Sequence, residues 1–327
     1  MAEWLVEEGI GESRAVCLHA DRILAACLEW HGQVQPGWVV EARLASRASG
    51  SQRGTALVDG EEVLVDRLPA SASEAAAIRI AITRAAFAGP GRFKRAQGRP
   101  SQAELERPSL TERLAATGIP SKTVRRFPGS GWDELVDEAL AGTIAFSSGT
   151  LWLTPTPALT AIDIDGDLPP ARLAMAAVPA LADALRRFNI GGSVAVDFPT
   201  LKAKTDRRAV DELLARHLED WPHERTAING FGLVQIVARA TRPSLLQRAG
   251  WQRGGLVWRR LLRRAEALVG PGMTELAIAP ALRAQTMQVH IAELERRTGR
   301  RVRLIDTPAL AFDAPHAQLV SDDRHAP

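Results

Sequence analysis

The chain has 327 residues, a formal net charge of +3 and two cysteines. That length suits about two domains. No run reaches the roughly 18 apolar residues of a membrane-spanning helix, and two cysteines this far apart supply neither a CxxC motif nor a four-ligand zinc site. Arginine dominates over lysine, a bias that suits bidentate phosphate contacts but also follows from high-GC coding.

The opening "MAEWLVEEGIGESR" is acidic and lacks a basic stretch followed by an apolar one, so no signal peptide is expected, and the cytoplasm is the default location. Residues 1–36 alternate in the manner of strands and close on the turn "HGQVQPG". The next block, "WVVEARLASRASGSQRGTALVDGEEVLVDRLP", is again β-rich, and its Asp59-Gly60 pair signals a hairpin. It reads as a small antiparallel sheet or reduced barrel, followed by a strand in the β-branched "IRIAIT". Between Gly89 and Arg126 the chain turns rich in Gly, Pro and Ser with an excess of basic residues. This predicts a linker with a short helix around Thr111 to Ala116. Phe93 and Phe127, interleaved with basic residues, admit a nucleic-acid contact or a solvated linker.

From Gly131 the pattern sharpens. "WDELVDEALAG" predicts an amphipathic helix closed by Gly142, and "TIAFSSGTLWLTPTPALTAIDIDG" a hairpin leading into a further strand. A helix follows from near Pro169, interrupted or kinked near Pro179, and ends before Gly191-Gly192. "SVAVDF" is a short buried strand, "TDRRAVDELLARHLED" a helix, and "RTAINGFGLVQIVAR" a turn and strand. After Ser244 come a basic helix in "GGLVWRRLLRRAEAL", a helix near "RAQTMQVHIAELERRTG", the strand "RVRLID" and a polar tail. Alternating strands and helices imply a layered α/β core.

The chemistry concentrates in "LTAIDIDGD". Positions 161, 163 and 165 share one face of the strand while Ile162 and Ile164 share the other. Asp163 and Asp165 therefore project together at the strand's C-terminal end, where ligands collect in α/β sheets. Asp197 ends the apolar run "SVAVDF" in the same way, and a strand–helix–strand unit makes the two strands neighbours. Carboxylates this close repel, and a hard divalent cation, magnesium or manganese, relieves that repulsion. Strand-end aspartates also cap helices or sit in solvated turns, the preferred role for Asp167. For Asp163 and Asp197, spacing by itself admits both roles. Cys17 and Cys27 read as buried apolar thiols, and no HxH or HExxH pattern supports histidine chemistry.

These segments in this order, "LTAIDIDGD", "LADALRRFNIGGSVAVDF" and "INGFGLVQIVARATRPSL", resemble the catalytic core of the ribonuclease E/G family of bacterial endoribonucleases. The likeness covers about residues 150–248 and continues more weakly through "AELERRTGRRVRLIDTPAL". The N-terminal β-rich block is similar in outline to that family's oligonucleotide-binding barrel. Pattern and resemblance together give an α/β fold, α+β overall: a β-rich N-terminal region with a reduced barrel (1–88), a basic Gly/Pro-rich linker read from composition (89–130), a core that the resemblance implies is DNase-I-like and catalytic (131–248) and a small C-terminal α/β region (249–327). It implies magnesium-dependent hydrolysis of single-stranded RNA that leaves 5′-phosphate and 3′-hydroxyl ends. By motif position Asp163 and Asp197 match the magnesium-binding carboxylates. Asp165 stands where the family usually has a site-orienting asparagine. Arg239 and Arg242 match basic positions, and Lys202 and Lys204 follow the Asp197 strand within reach of an RNA backbone. Asn229 and Phe231 fall in the family's "NGF" turn. The cysteine motif that zinc-links subunits is missing, so no zinc is expected and any homo-oligomer forms without a zinc link. The stretch "AGPGRFKRAQGRPSQAELERPS" replaces the 5′-monophosphate sensor, so no acceleration by a 5′-monophosphate is expected. RNA binding by the same fold with reduced or lost cleavage is the alternative that Asp165 and the shortened barrel suggest.

Overall fold

The computed structural model describes residues 1–47 and 50–321. It separates into two compact units. Met1–Glu7 with Arg14–Trp251 form the first, and Glu8–Ser13 with the chain from Gln252 form the second.

The first unit begins with β1 (Glu3–Glu8), β2 (Glu12–His19) and β3 (Arg22–Trp30), except that the adjoining ends of β1 and β2, Glu8, Glu12 and Ser13, are counted with the second unit. A closed five-stranded barrel follows, built from β4 (Val39–Arg47), β5 (Gly54–Val58), β6 (Glu61–Val65), β7 (Ala77–Arg84) and, after a separate small hairpin of β8 (Phe87–Gly89) and β9 (Arg92–Lys94), the closing β10 (Ala96–Pro100). Inward side chains alternate along each strand: Val40, Ala42 and Leu44 on β4, Val63 and Val65 on β6, Ile80 and Ile82 on β7 form one core. The strand order is β10-β6-β5-β4-β7 and back to β10, with β6 and β10 parallel and the other pairs antiparallel. Closure leaves no unpaired strand edge. Asp59 and Gly60, at φ 50° and 84°, make the turn that joins β5 to β6. Both left-handed values are what a two-residue hairpin turn matching strand twist requires.

The stretch 89–130 is thus not the linker that its composition suggests. β10 closes the barrel and buries Ala96 in its core. Next come α1 (Leu110–Ala115) and β11 (Ser121–Val124), which pairs parallel to β1 to give the sheet β11-β1-β2-β3. Ser109 and Glu112 form a reciprocal capping box at the start of α1. Leu110 and Leu114 then bury against Trp4, Val6 and Cys27. These short strands bond to partners far away in sequence, so they leave no local period to read. Phe127 is buried as well. It packs against Trp132 with ring centroids 5.8 Å apart, and its N–H donates to the Glu7 carboxylate at 3.1 Å. Phe93 by contrast is 63% exposed.

The rest of the first unit holds α2 (Gly131–Ala141), β12 (Thr143–Phe146), β13 (Gly149–Pro155), β14 (Thr160–Gly166), α3 (Pro170–Arg187), β15 (Gly192–Asp197), α4 (Lys204–His217), β16 (His223–Arg225), β17 (Leu233–Ala238) and α5 (Leu245–Trp251). The six strands form one sheet in the order β12-β13-β14-β15-β17-β16. β14 and β15 run parallel, with α3 as the crossover between them, and the other neighbours are antiparallel. One face is apolar and buried: Ile162, Ile164, Val194, Val196, Val234 and Ile236. α3 packs on this sheet with Leu173, Ala177, Val178 and Leu181 all buried. Truncating Leu181 to alanine removes a fully buried side chain and costs about 2–5 kcal/mol. α3 is one uninterrupted helix with Pro179 inside it. Pro179 is exposed, so the carbonyl that loses its partner is on the side open to water, which lowers the cost of an interior proline.

The second unit has α6 (Arg253–Glu266), β18 (Met273–Ile278), a 3₁₀ turn (Pro280–Gln285), α7 (Gln288–Thr298), β19 (Val302–Asp306) and β20 (His316–Val320). Its sheet is β19-β18-β20, parallel on one side of β18 and antiparallel on the other. The expected polar tail therefore contributes a strand, β20, before residues 322–327, which lie outside the described residues. Within this unit the Trp258 indole N–H donates to His290 Nδ1 at 3.1 Å.

Candidate functional site

The alternation of β14 decides where its aspartates go. Thr160, Ile162 and Ile164 are buried, while Asp163 and Asp165 are exposed on the opposite face. In β15 the same alternation buries Val194 and Val196 and exposes Asp197. The two strands pair parallel with Asp163 directly opposite Asp197. Partner residues on adjacent strands lie about 4.8 Å apart, so the two side chains rise side by side from one face. Asp197 is the last residue of β15, whereas Asp163 lies at the middle of β14 rather than at its C-terminal end, because β14 runs on to Gly166 in its pairing with β13. Asp165 is on that face too, one pleat repeat further on, or about 7 Å along the strand. Its partner is Thr150 on β13, and β15 has already ended. Among the described residues no group of three His, Cys, Asp or Glu side chains converges to hold a metal. The site is a pair of carboxylates with a third acid nearby.

Local bonds hold these strands' ends. Asp163 Oδ1 accepts from the Ile164 N–H and Asp165 Oδ1 from the Gly166 N–H, both at 2.9 Å. Asp167 lies in the bend after β14, as its turn role requires, and the N-cap of α3 is Pro169. Cys17 and Cys27 are both buried and unbridged.

On the other side of β15, Asp197 pairs with Leu233 of β17. The turn leading into β17 is built by Asn229, whose Oδ1 accepts from the N–H groups of Phe231 and Leu233 at 2.9 and 3.1 Å. The Phe198 N–H donates to Gly232 O at 3.1 Å, tying this turn to the end of β15. Gly232 has φ 95°, and a Cβ there would stand 2.2 Å from Phe198 O, so no side chain fits. Behind the turn, Asp211 on α4 accepts from Arg225 Nη1 at 2.9 Å and from the Ile228 N–H at 3.1 Å. Asn229 thus has a definite structural task. The Phe231 ring is left 85% exposed.

The four basic residues divide. Lys202 and Lys204 are exposed in the segment that follows Asp197. Arg239 is exposed but sits just past the far end of β17, about 20 Å of strand away from Leu233. Arg242 is committed inside the fold. Its Nη2 lies 3.1 Å from Glu29 Oε1, the two side chains being only 14% and 6% exposed, and its Nη1 contacts the Cys27 thiol. Arg113 also pairs with Glu29. A buried carboxylate needs its counter-charges, which is why Arg242 faces inward rather than toward a bound strand. Burial pushes the Cys27 thiol above its usual range, so it meets Arg242 as a neutral thiol.

The sequence reading passed over Trp152. It pairs with Asp163 across β13 and β14 and is 51% exposed on the same face. The signal was present: in "GTLWLTP" the leucines take the inward positions and leave the tryptophan outward. Among the described residues, no helix is long and apolar enough to cross a membrane. No family model matches the chain, and no curated protein matches it.

Proposed function

We propose that the protein is a metal-dependent endoribonuclease of the ribonuclease E/G type that hydrolyses single-stranded RNA. The observation that carries this is the side-by-side register of Asp163 on β14 with Asp197, the last residue of the parallel β15, on one open sheet face. Further support comes from the barrel. Numbered within itself, its strand order is 1-2-3-5-4 and back to 1, with strands 3 and 5 parallel, in keeping with a five-stranded oligonucleotide-binding barrel. On this reading the six-stranded sheet with α3 and α4 is a DNase-I-like core.

The donor set suits the cofactor. Two hard carboxylates on one face, open to water and to substrate phosphate oxygens, are the usual protein share of a magnesium or manganese site. When bound, such an ion supplies charge neutralisation at the phosphate and acidifies a bound water. Asp163 and Asp197 hold that charge at the phosphate, and the open face lets an extended strand lie across them. Asp165 presents a proton acceptor on the same face beside the attacking water. The attacking water gives a proton to Asp165 as its oxygen bonds to phosphorus. The P–O3′ bond breaks and the departing 3′ oxygen takes a proton from bulk water, which leaves a 3′-hydroxyl and a 5′-phosphate. Lys202 and Lys204 bind the backbone beyond the pair.

RNA binding without cleavage is the second reading, favoured by the acid at position 165. Incubation of the protein with single-stranded RNA and magnesium, beside Asp163→Asn and Asp197→Asn, separates the two. Cleavage by the unsubstituted chain that falls at least about 100-fold in both variants is expected. Equal, background-level cutting by all three, with salt-sensitive binding retained, means the second reading.

A further inference from the structure

The face that carries the carboxylates also carries apolar side chains that a solvated sheet face usually lacks. Across four strands one row reads Trp152, Asp163, Asp197, Leu233, each the direct partner of the next. Trp152 is 51% and Leu233 42% exposed. Phe231, two residues before Leu233, is 85% exposed on a turn fixed by Asn229 and tied to the end of β15. Three strand spacings make this row about 14 Å long. Its centre is charged and its two ends are aromatic or apolar.

We infer that Trp152 and Phe231 are stacking platforms for bases on either side of the phosphate held over Asp163 and Asp197, two or more nucleotides apart, so that single-stranded RNA crosses the sheet perpendicular to its strands. This rests on the function proposed above. An aromatic face accepts any base, and its exposure here leaves it available for stacking. The charge pattern selects the occupant. A second protein surface laid on this face would bury two adjacent carboxylates among apolar side chains without counter-charge. An extended nucleotide strand puts its bases over the rings and its phosphate, with an accompanying divalent cation, over the acids. In the next row of the same face the half-buried Ala161 and Ala195 are partners, and their small side chains leave the sheet surface shallow beside the acids. The two platforms are positioning residues rather than groups that take part in bond breaking.

The test is equilibrium binding of a fluorescein-labelled oligouridylate of about ten nucleotides, with calcium in place of magnesium so that the carboxylates keep a cation and any cutting is read from product length, followed by steady-state cleavage in magnesium. Trp152→Ala and Phe231→Ala are each expected to weaken binding about 5-fold or more. They should raise KM by a similar factor and leave kcat and the melting temperature near those of the unsubstituted chain. Trp152→Phe keeps an aromatic face and is expected to bind within about 2-fold of the parent. Binding by Trp152→Ala and Phe231→Ala that equals the parent's overturns the inference. So does a parent dimer in light scattering that Trp152→Ala converts to monomer with RNA affinity unchanged. If the parent cuts no better than Asp163→Asn yet Trp152→Ala still loses binding, the nuclease reading fails and the platforms stand. If the parent cuts and the platform variants bind normally, the reverse holds.

Discussion

Asp163 and Asp197 are direct partners in the parallel pairing of β14 with β15. Two carboxylates held side by side on a sheet face repel, and opposed like charges destabilise a sheet by about 0.2–1 kcal/mol. In EDTA, Asp163→Asn and Asp197→Asn should each therefore match or exceed the parent in thermal stability. Magnesium should raise the parent's melting temperature by preferential binding to the folded state and leave both variants unmoved. Scanning calorimetry with and without the ion checks this, and an equal magnesium response in all three proteins defeats it.

Glu29 is expected to matter for stability rather than for RNA. It is 6% exposed and is met by both Arg113 and Arg242. Glu29→Gln leaves two guanidinium groups short of their counter-charge and should cost about 3–5 kcal/mol in urea unfolding. Arg242→Ala should be destabilising for the same reason. A normal urea midpoint for either variant contradicts this assignment.

Lys202 and Lys204 should act through salt. Each phosphate contact to a single strand adds about 0.7 to the slope of log affinity against log salt. Replacing either lysine by glutamine should reduce that slope by about this amount, whereas conservative changes at the inward-facing Arg242 should leave it alone. Fluorescence anisotropy titrations across a range of salt concentrations read the slopes directly.

Acid should weaken the second unit through Glu293. Hydrogen bonds from Arg296 and Arg297 on the same helix lower its carboxyl from 4.5 to about 2. The folded state therefore binds this proton less readily than the unfolded one. The stabilisation is fully present above pH 4.5 and disappears as the pH falls to about 2. The pair is near the surface, so the effect is small and screened by salt. Melting temperatures followed between these limits should fall more for the parent than for Glu293→Gln. Parallel curves would show that the charge contributes nothing.

Much of the first unit was legible because its elements are locally consistent. Asp59-Gly60 demands a two-residue hairpin turn, the spacing of "WDELVDEALAG" demands an amphipathic helix, and "TAIDIDG" can bury its isoleucines only by turning both aspartates outward. The stretch 89–130 was legible only in its short helix, expected around Thr111 to Ala116 and found at Leu110–Ala115. Its strands β10 and β11 are four or five residues long and bond to segments distant in sequence, and a Gly- and Pro-rich composition hides such strands. β18 and β20 escaped for the same reason, and Pro179 sits inside a helix because its exposed position lets water satisfy the freed carbonyl.

The candidate site divides along the same line. The sequence by itself determined that Asp163, Asp165 and Asp197 face away from the apolar core, because a strand's side chains alternate and the isoleucines and valines must be buried. Only the tertiary structure decided which acids meet. Register is a property of two strands, and the α3 crossover sets Asp163 against Asp197 while Asp165 extends past the end of β15. The tertiary structure likewise turned Arg242 inward to a buried glutamate that lies more than two hundred residues earlier, and brought Trp152 beside Asp163. Burial and charge pairing act through space, and the order of residues along the chain does not encode them locally.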